Sequence, residues 1–289
     1  MGRPPSAARG VSDDEAPGAD PQLERELLNV ARTAAAAAAV ELLARYDAAP
    51  EGLATKTTAT DPVSEADRAA ERAIRAVLAG RRPGDAVLGE EGGETEAAAG
   101  IEGTGLRWVV DPLDGTVNYL YGYPQWSVSV ACEDAAGTIA GIVLDPLRGE
   151  EVGATRSGPV LLDGRPANRE PGAGSLDVAL VATGFAYDAR VRDRQADVLH
   201  RLLPRVRDTR RGGSAALDLA WTALGRCDAY FERGVKAWDV AAGALACVRA
   251  GLELHELPAR EGDPAGLLAA PPALAGELLA LVTGSPGAT

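Results

Sequence analysis

Apolar and polar positions alternate in two rhythms along this 289-residue chain. Residues 23–46 are strong helix formers without Pro or Gly, which predicts a long helix. Residues 62–79 predict a second helix, with Asp61 as its cap and Pro62 in its first turn. The rhythm then shortens. Residues 85–88 and 108–110 predict strands, and the alternating runs 126–132 and 138–144 predict strands that neighbour each other. Residues 159–162 and 178–182 continue in β character. Further on, the pattern predicts a helix over 214–224 capped by Ser214, a strand at 228–232, a helix at 238–249 and a strand at 252–255. The Pro/Gly-rich stretch 258–272 reads as a loop.

No internal repeat is visible. Residues 1–20, rich in Pro, Gly, Ala and Asp, predict a disordered tail. Residues 21–289 then form a single domain with halves at about 22–172 and 173–289, joined near 169–175. The mixed order of elements predicts a layered α/β (α+β) fold.

Charge narrows the choice of partners. The net charge is −13 and the pI about 4.7, which argues against nucleic acid or an anionic membrane surface as a partner. Cys132, Cys227 and Cys247 have neither metal-type nor disulfide-type spacing, as expected in a reducing cytoplasm. Two histidines leave little room for histidine-based catalysis or zinc binding. The longest apolar run, 34–40, is bracketed by Arg32 and Glu41 and is too short to span a bilayer.

The chemistry concentrates at element boundaries. The strand Trp108-Val109-Val110 runs into Asp111 and Asp114, followed by Gly115 and Thr116. Two rigidly held carboxylates repel unless a cation lies between them, and carboxylate oxygens suit Mg²⁺. Three further acidic clusters occur: Asp61, Glu65 and Asp67 after Lys56; Glu90 and Glu91 in a Gly-rich loop; and Asp239 at a helix start. Any one alone reads as a helix cap or a solvated turn.

Together and in this order they resemble the inositol monophosphatase family. The resemblance rests on Asp61-x-Val-Ser-x-x-Asp67, Gly89-Glu90-Glu91 and Trp108-Val-Val-Asp111-Pro-Leu-Asp114-Gly-Thr-Val-Asn118. It continues through Gly122-Tyr-Pro124, Arg211-Gly-Gly-Ser214-Ala-Ala216, residues 225–232 and Trp238-Asp239-Val-Ala-Ala-Gly243, covering about residues 22–265. It implies an α-β-α-β-α sandwich with mixed sheets, like that of the inositol monophosphatases and fructose bisphosphatases. It implies two or three Mg²⁺ ions. Glu90, Asp111 and the Leu113 carbonyl would hold the first, Asp111, Asp114 and Asp239 the second, and Glu90 a weaker third. Thr116 and Glu90 would position the attacking water, with Asp67 supporting Thr116 and Lys56 near the metals. The amides of Gly115 and Thr116 would meet phosphate oxygens. Asp114, Asp239, Glu232 and the Ser214-Ala215 turn would line the substrate side. A homodimer and inhibition by lithium are implied as well.

The physics is compatible. Two ions about 3.5–4 Å apart need a shared ligand, the place the resemblance gives Asp111. Metals also invert the charge of an acidic pocket, so that it can take an anion. Gly92 and Gly93 stand where a hydroxyl residue is common in the family, which predicts a looser loop around Glu90. Segment 119–123 resembles actinobacterial members.

Rival readings fit less well. Cys227 to Arg233 has the spacing of cysteine phosphatases, but Asp228, Glu232 and two aromatics fill its interior. Asp111 and Asp114 are three residues apart, whereas the nucleophile and acid of aspartyl-phosphate phosphatases are two apart. A metal-binding regulatory protein that contacts partners without turnover is the alternative of another class. Within the enzyme class, Asn118 and Tyr119 resemble the branch acting on inositol 1-phosphate. Other branches act on fructose 1,6-bisphosphate, histidinol phosphate or adenosine bisphosphate.

Overall fold

The structure, a computed structural model, describes residues 20–46, 54–55, 62–63, 65–170 and 172–284. The expected tail, and the expected positions of Lys56, Asp61 and Ser64, lie outside these residues.

The chain opens with helix α1 (Pro21–Tyr46), the short antiparallel strands β1 (Ala54–Thr55) and β2 (Pro62–Val63), and helix α2 (Glu65–Arg81). The helix expected from residue 62 therefore starts three residues later, with Pro62 and Val63 paired as a strand instead. An eight-stranded sheet follows. It comprises β3 (Ala86–Gly89), β4 (Gly93–Thr95), β5 (Arg107–Asp114), β6 (Ser127–Asp134), β7 (Gly137–Asp145), β8 (Glu150–Thr155), β9 (Leu161–Leu162) and β10 (Arg165–Pro166), with helix α3 (Thr116–Leu120) after β5. Its order is β10-β9-β8-β7-β6-β5-β3-β4, and only β3 and β5 run parallel.

The second half contains β11 (Leu180–Thr183), α4 (Ala189–Leu202), β12 (Asp208–Arg210), α5 (Ala215–Ala223), β13 (Ala229–Arg233), α6 (Ala237–Arg249), β14 (Glu253–Leu257), β15 (Gly266–Ala270) and α7 (Pro272–Thr283). Its five-stranded sheet has the order β12-β11-β13-β15-β14. β15, a strand between β13 and β14, replaces part of the loop expected at 258–272. Its Leu267-Leu268-Ala269-Ala270 run is hidden in sequence by Pro264 before it and Pro271-Pro272 after it. Helices α4 and α7 add an outer layer that the pattern did not announce.

Three helical layers enclose the two sheets, giving α-β-α-β-α. Helices α1 and α2 cover the outer face of the large sheet, α5 and α6 lie between the sheets, and α4 and α7 cover the far side. Because both sheets are covered on both faces, alternate residues of one strand enter different cores. Trp108 and Val110 point to the α1/α2 side and Val109 to the middle layer. Tyr230 faces the middle layer, while Ala229 and Phe231 face α7. Helix α1 as a whole is long and apolar enough to cross a bilayer, although its longest uninterrupted run is not. In this fold Leu27, Ala31, Ala34, Ala35, Ala38 and Leu42 are fully buried against the sheet and α2.

The middle layer is packed almost backbone to backbone. A Cβ on Gly141 of β7 would lie 2.8 Å from the Ala242 Cα and 2.9 Å from its Cβ in α6. A Cβ on Gly243 would lie 2.6 Å from the Leu219 Cβ in α5. Backbone atoms cannot swing aside, so Gly141→Ala is expected to destabilise the fold by about 1–3 kcal/mol, read by urea unfolding with an unchanged m-value.

Candidate functional site

Strand β5 delivers the first carboxylates. Pro112 has no N–H to give the ladder, and the register between β5 and β6 shifts between Asp111 and Asp114. The bulge turns both acids toward the middle layer. Asp111 is buried, and its Oδ1 accepts the Leu113 amide at 3.0 Å. Asp114 Oδ2 accepts the Ser214 hydroxyl at 2.6 Å and the Ala216 amide at 2.7 Å. Gly115 then turns the chain with φ 97°. A side chain there would press on the Gln125 and Gly213 carbonyls, at 3.0 and 3.2 Å. Conformation and close approach both require glycine.

Parallel pairing brings in Glu90. β3 runs beside β5 with Gly89 opposite Val110, so Glu90 follows level with Asp111 and its amide donates to the Val110 carbonyl at 3.3 Å. Asp239 arrives from the first turn of α6. Its Oδ2 accepts the backbone amide of Lys236, the N-cap residue, at 2.6 Å, so from the third helical position it also steadies the helix start. The Ser129 hydroxyl donates to the Trp238 carbonyl at 3.1 Å and ties that helix start to β6.

Burial first, and then neighbouring charge, raises the proton affinity of Asp111, Asp114 and Asp239. Asp111 lies well above the usual carboxylate range because it is buried and faces Glu90, Asp114 and Asp239. Asp239 is pushed well up by burial and by Asp114. Burial also raises Asp114, but the Ser214, Ala216 and Ala215 donors hold it to about 6. With the Leu113 carbonyl, the donor set is all oxygen, which fits a hard divalent cation such as Mg²⁺. Among the described residues no three acids close on one point as a finished coordination shell does. What the fold brings together is the acids, not a completed cage.

Thr116 and Asp67 meet as expected. The Thr116 Oγ1 lies 3.4 Å from Asp67 Oδ1 and 3.1 Å from the Leu113 carbonyl, and its one proton can serve only one of them at a time. Asp67 is fully buried in the first turn of α2.

The expected substrate residues divide. The Ser214 side chain is fully buried, donating to Asp114 and accepting the Leu217 amide at 3.3 Å as cap of α5. The amides of Ala215 and Ala216 also turn to Asp114. This turn therefore holds a carboxylate rather than presenting its polar groups outward. Glu232 is half-buried at the end of β13, where Tyr230 donates to its Oε2 at 3.1 Å. Burial and Asp114 raise its carboxyl to about 7, against the opposing Tyr230 and Arg211.

Other side chains have a place in the site that the sequence reading did not give them. The Asn118 amide donates to the Gln125 carbonyl and, at 2.9 Å, to the Gly212 carbonyl, pinning the 211–214 turn to the β5 end. Buried Asp218 is raised by burial and by Glu232. A Cβ on Gly184 would fall on the Glu232 carboxylate. Glu71 and Arg75 contact the Glu90 loop. Only the last pair left a sequence signal: Asp67, Glu71 and Arg75 form a charged stripe at four-residue spacing beside buried Ala66, Ala70 and Ile74.

Comparison with known proteins agrees with this fold. The sequence pattern of the inositol monophosphatase family matches residues 23–283. The inositol-1-monophosphatase of Mycobacterium bovis is 45% identical over 229 residues, covering 78% of this chain and 79% of that protein. A Pseudomonas aeruginosa protein named Nus factor SuhB is 41% identical over 232 residues, covering 78% and 83%. Among solved structures, Mycobacterium tuberculosis SuhB superposes with a TM-score of 0.73 at 36% identity, covering 92% of this chain and 97% of that one. The Bartonella henselae suhB protein gives 0.79 at 30% identity, covering 91% and 100%. The chain belongs to the inositol monophosphatase family.

Proposed function

We propose that this protein hydrolyses the phosphate monoester of a polyol, foremost inositol 1-phosphate, with Mg²⁺ and without a covalent phosphoenzyme. The observation that carries the reading is the bulged end of β5, which sets Asp111 and Asp114 beside Glu90 and Asp239 in a desolvated, oxygen-only site. Glu90, Asp111, the Leu113 carbonyl, Asp114 and Asp239 would hold two ions, with Asp111 shared and Glu90 available to a third. When bound, such ions lower the pKa of a water and neutralise the phosphate and the departing oxygen. Thr116, backed by Asp67, and Glu90 orient that water. The amides of Gly115 and Thr116 hold phosphate oxygens, and Glu232 accepts polyol hydroxyls. The family resemblance extends the proposal to a lithium-inhibited homodimer acting in the cytoplasm.

A second reading, partner binding with little turnover, has one observation in its favour. Residues 189–211 carry eight arginines against three aspartates in an acidic chain, mostly exposed on the outer layer. Turnover decides between the two readings. Mg²⁺-dependent phosphate release from inositol 1-phosphate is expected, and Asp111→Asn should lower kcat by about a thousandfold or more. Near-normal kcat in that variant would sink the two-metal reading, and bound Mg²⁺ without turnover on a panel of sugar and polyol phosphates would favour the second.

Glu232→Gln is expected to raise KM for inositol 1-phosphate about tenfold, with a smaller change in kcat, through loss of a charged acceptor for hydroxyls. Unchanged KM and unchanged preference across the same panel would remove Glu232 from the substrate side.

Asp111, Asp114 and Asp239 also make the metal-free fold sensitive to pH. Their folded pKa values lie above the unfolded ones, so the folded state binds more protons and stability falls as pH rises. The loss should begin near the unfolded value of about 4 and, for Asp114, be complete near 6. Melting curves in a chelator across this range should show the decline. Millimolar Mg²⁺ should reverse it, and Asp111→Asn should reduce it.

A further inference from the structure

The turn that carries Glu90 is the least self-supporting part of the site. Gly89-Glu90-Glu91-Gly92-Gly93 joins β3 to β4 with three glycines in five residues, a segment expensive to order. The structure shows it fastened to α2. Glu71 is buried, and its two carboxylate oxygens take the amides of consecutive residues: Oε2 accepts from Glu91 at 2.8 Å and Oε1 from Gly92 at 2.9 Å. Successive amides turned on one anion form an anion-binding concavity. Here the anion is the protein's own side chain.

Arg75 completes the fastening. Its Nε donates to Glu71 Oε1 at 2.7 Å, its Nη2 to the Gly93 carbonyl at 2.7 Å and its Nη1 to the Thr95 hydroxyl at 3.0 Å. One guanidinium therefore orients the carboxylate and grips the far side of the turn, a fork that lysine cannot reproduce. The glycines let the backbone wrap this closely. A Cβ on Gly89 or on Gly92 would lie 2.5 Å from Glu71 Oε1. The turn is thus not left loose by Gly92 and Gly93, because its amides are held from α2.

We propose that Glu71 and Arg75 are a positioning pair that sets Glu90 for its cation. The proposal rests on the reading above in which Glu90 is a metal ligand. Asp67, Glu71 and Arg75 follow one another at four-residue spacing along α2. One helix face thereby aligns Thr116 through Asp67 and Glu90 through Glu71.

The test uses the full chain and Mg²⁺ or Mn²⁺ alone. Glu71→Gln keeps the size of the side chain but turns one acceptor into a donor facing amide and guanidinium donors. Calorimetry should show cation affinity weakened by about ten- to a hundredfold, the range for residues that orient metal ligands. The half-saturating Mg²⁺ for turnover should shift equally. At saturating Mg²⁺, most of the loss in turnover should be recovered, with the substrate KM within about threefold of wild type. A folded Glu71→Gln with wild-type cation affinity and half-saturation overturns the proposal, even if its melting temperature drops. If that variant does not fold, Arg75→Lys is read instead: weakening of about threefold supports the fork, and unchanged affinity overturns it. A wild-type chain that binds no cation removes Glu90 as a ligand and the pair's role with it. That result differs from a wild type that binds while Glu71→Gln binds equally well.

Discussion

Like charges held together out of water govern this molecule. Burial, and then the charges of neighbouring acids, push the proton affinity of Asp111, Asp114 and Asp239 upward, and the fold must keep them close against that repulsion. The donors that fix them decide what the site can do. Asp111 is fixed by a backbone amide, Asp114 by a hydroxyl and backbone amides, and Asp239 by the amide of Lys236 rather than its ammonium. Neutral donors set position while leaving most of the charge uncancelled. An ion pair would have set position too, but it would have satisfied the attraction that a divalent cation needs.

The layering turns this local constraint into a property of the whole chain. β5 and β3 supply three of the four acids through their parallel register, and α6 supplies the fourth from between the sheets. Ser214, which steadies Asp114, lies 100 residues further along and also lies 3.1 Å from the Ser127 hydroxyl of β6. The second sheet, through α5 and β13, adds the Ser214 turn and Glu232. Neither half contains the set alone.

Much of this was legible in the sequence, for physical reasons. Acids placed where a buried strand ends or a helix begins stand out, because such positions are few and the periodicity marks them. Such positions carry the family resemblance, and the resemblance is what groups Asp111, Asp114, Glu90 and Asp239. Strands covered on both faces also announce themselves as unbroken apolar runs, as at 108–110. The failures have the opposite character. β15 is bounded by prolines that read as loop, and α7 starts on Pro272, where a missing N–H costs nothing. Ser214 looked like a cap facing substrate because a sequence does not show which way a hydroxyl points; here it both caps the helix and turns inward to a carboxylate. Glu71 and Arg75 have no place in the sequence reading, since the turn they hold is about twenty residues away in the chain and adjacent only after β3 docks.

The contact between Gly141 and Ala242 has a wider consequence for how variation in this protein is read. Ala242 lies about one helical turn beyond Asp239 on α6, and the hydrogen of a glycine is all that separates it from β7. A change at 141 lifts the helix that carries Asp239, although residue 141 neither titrates nor faces the acidic cluster. Maps of tolerated substitutions should therefore follow the middle layer rather than distance from the acidic cluster.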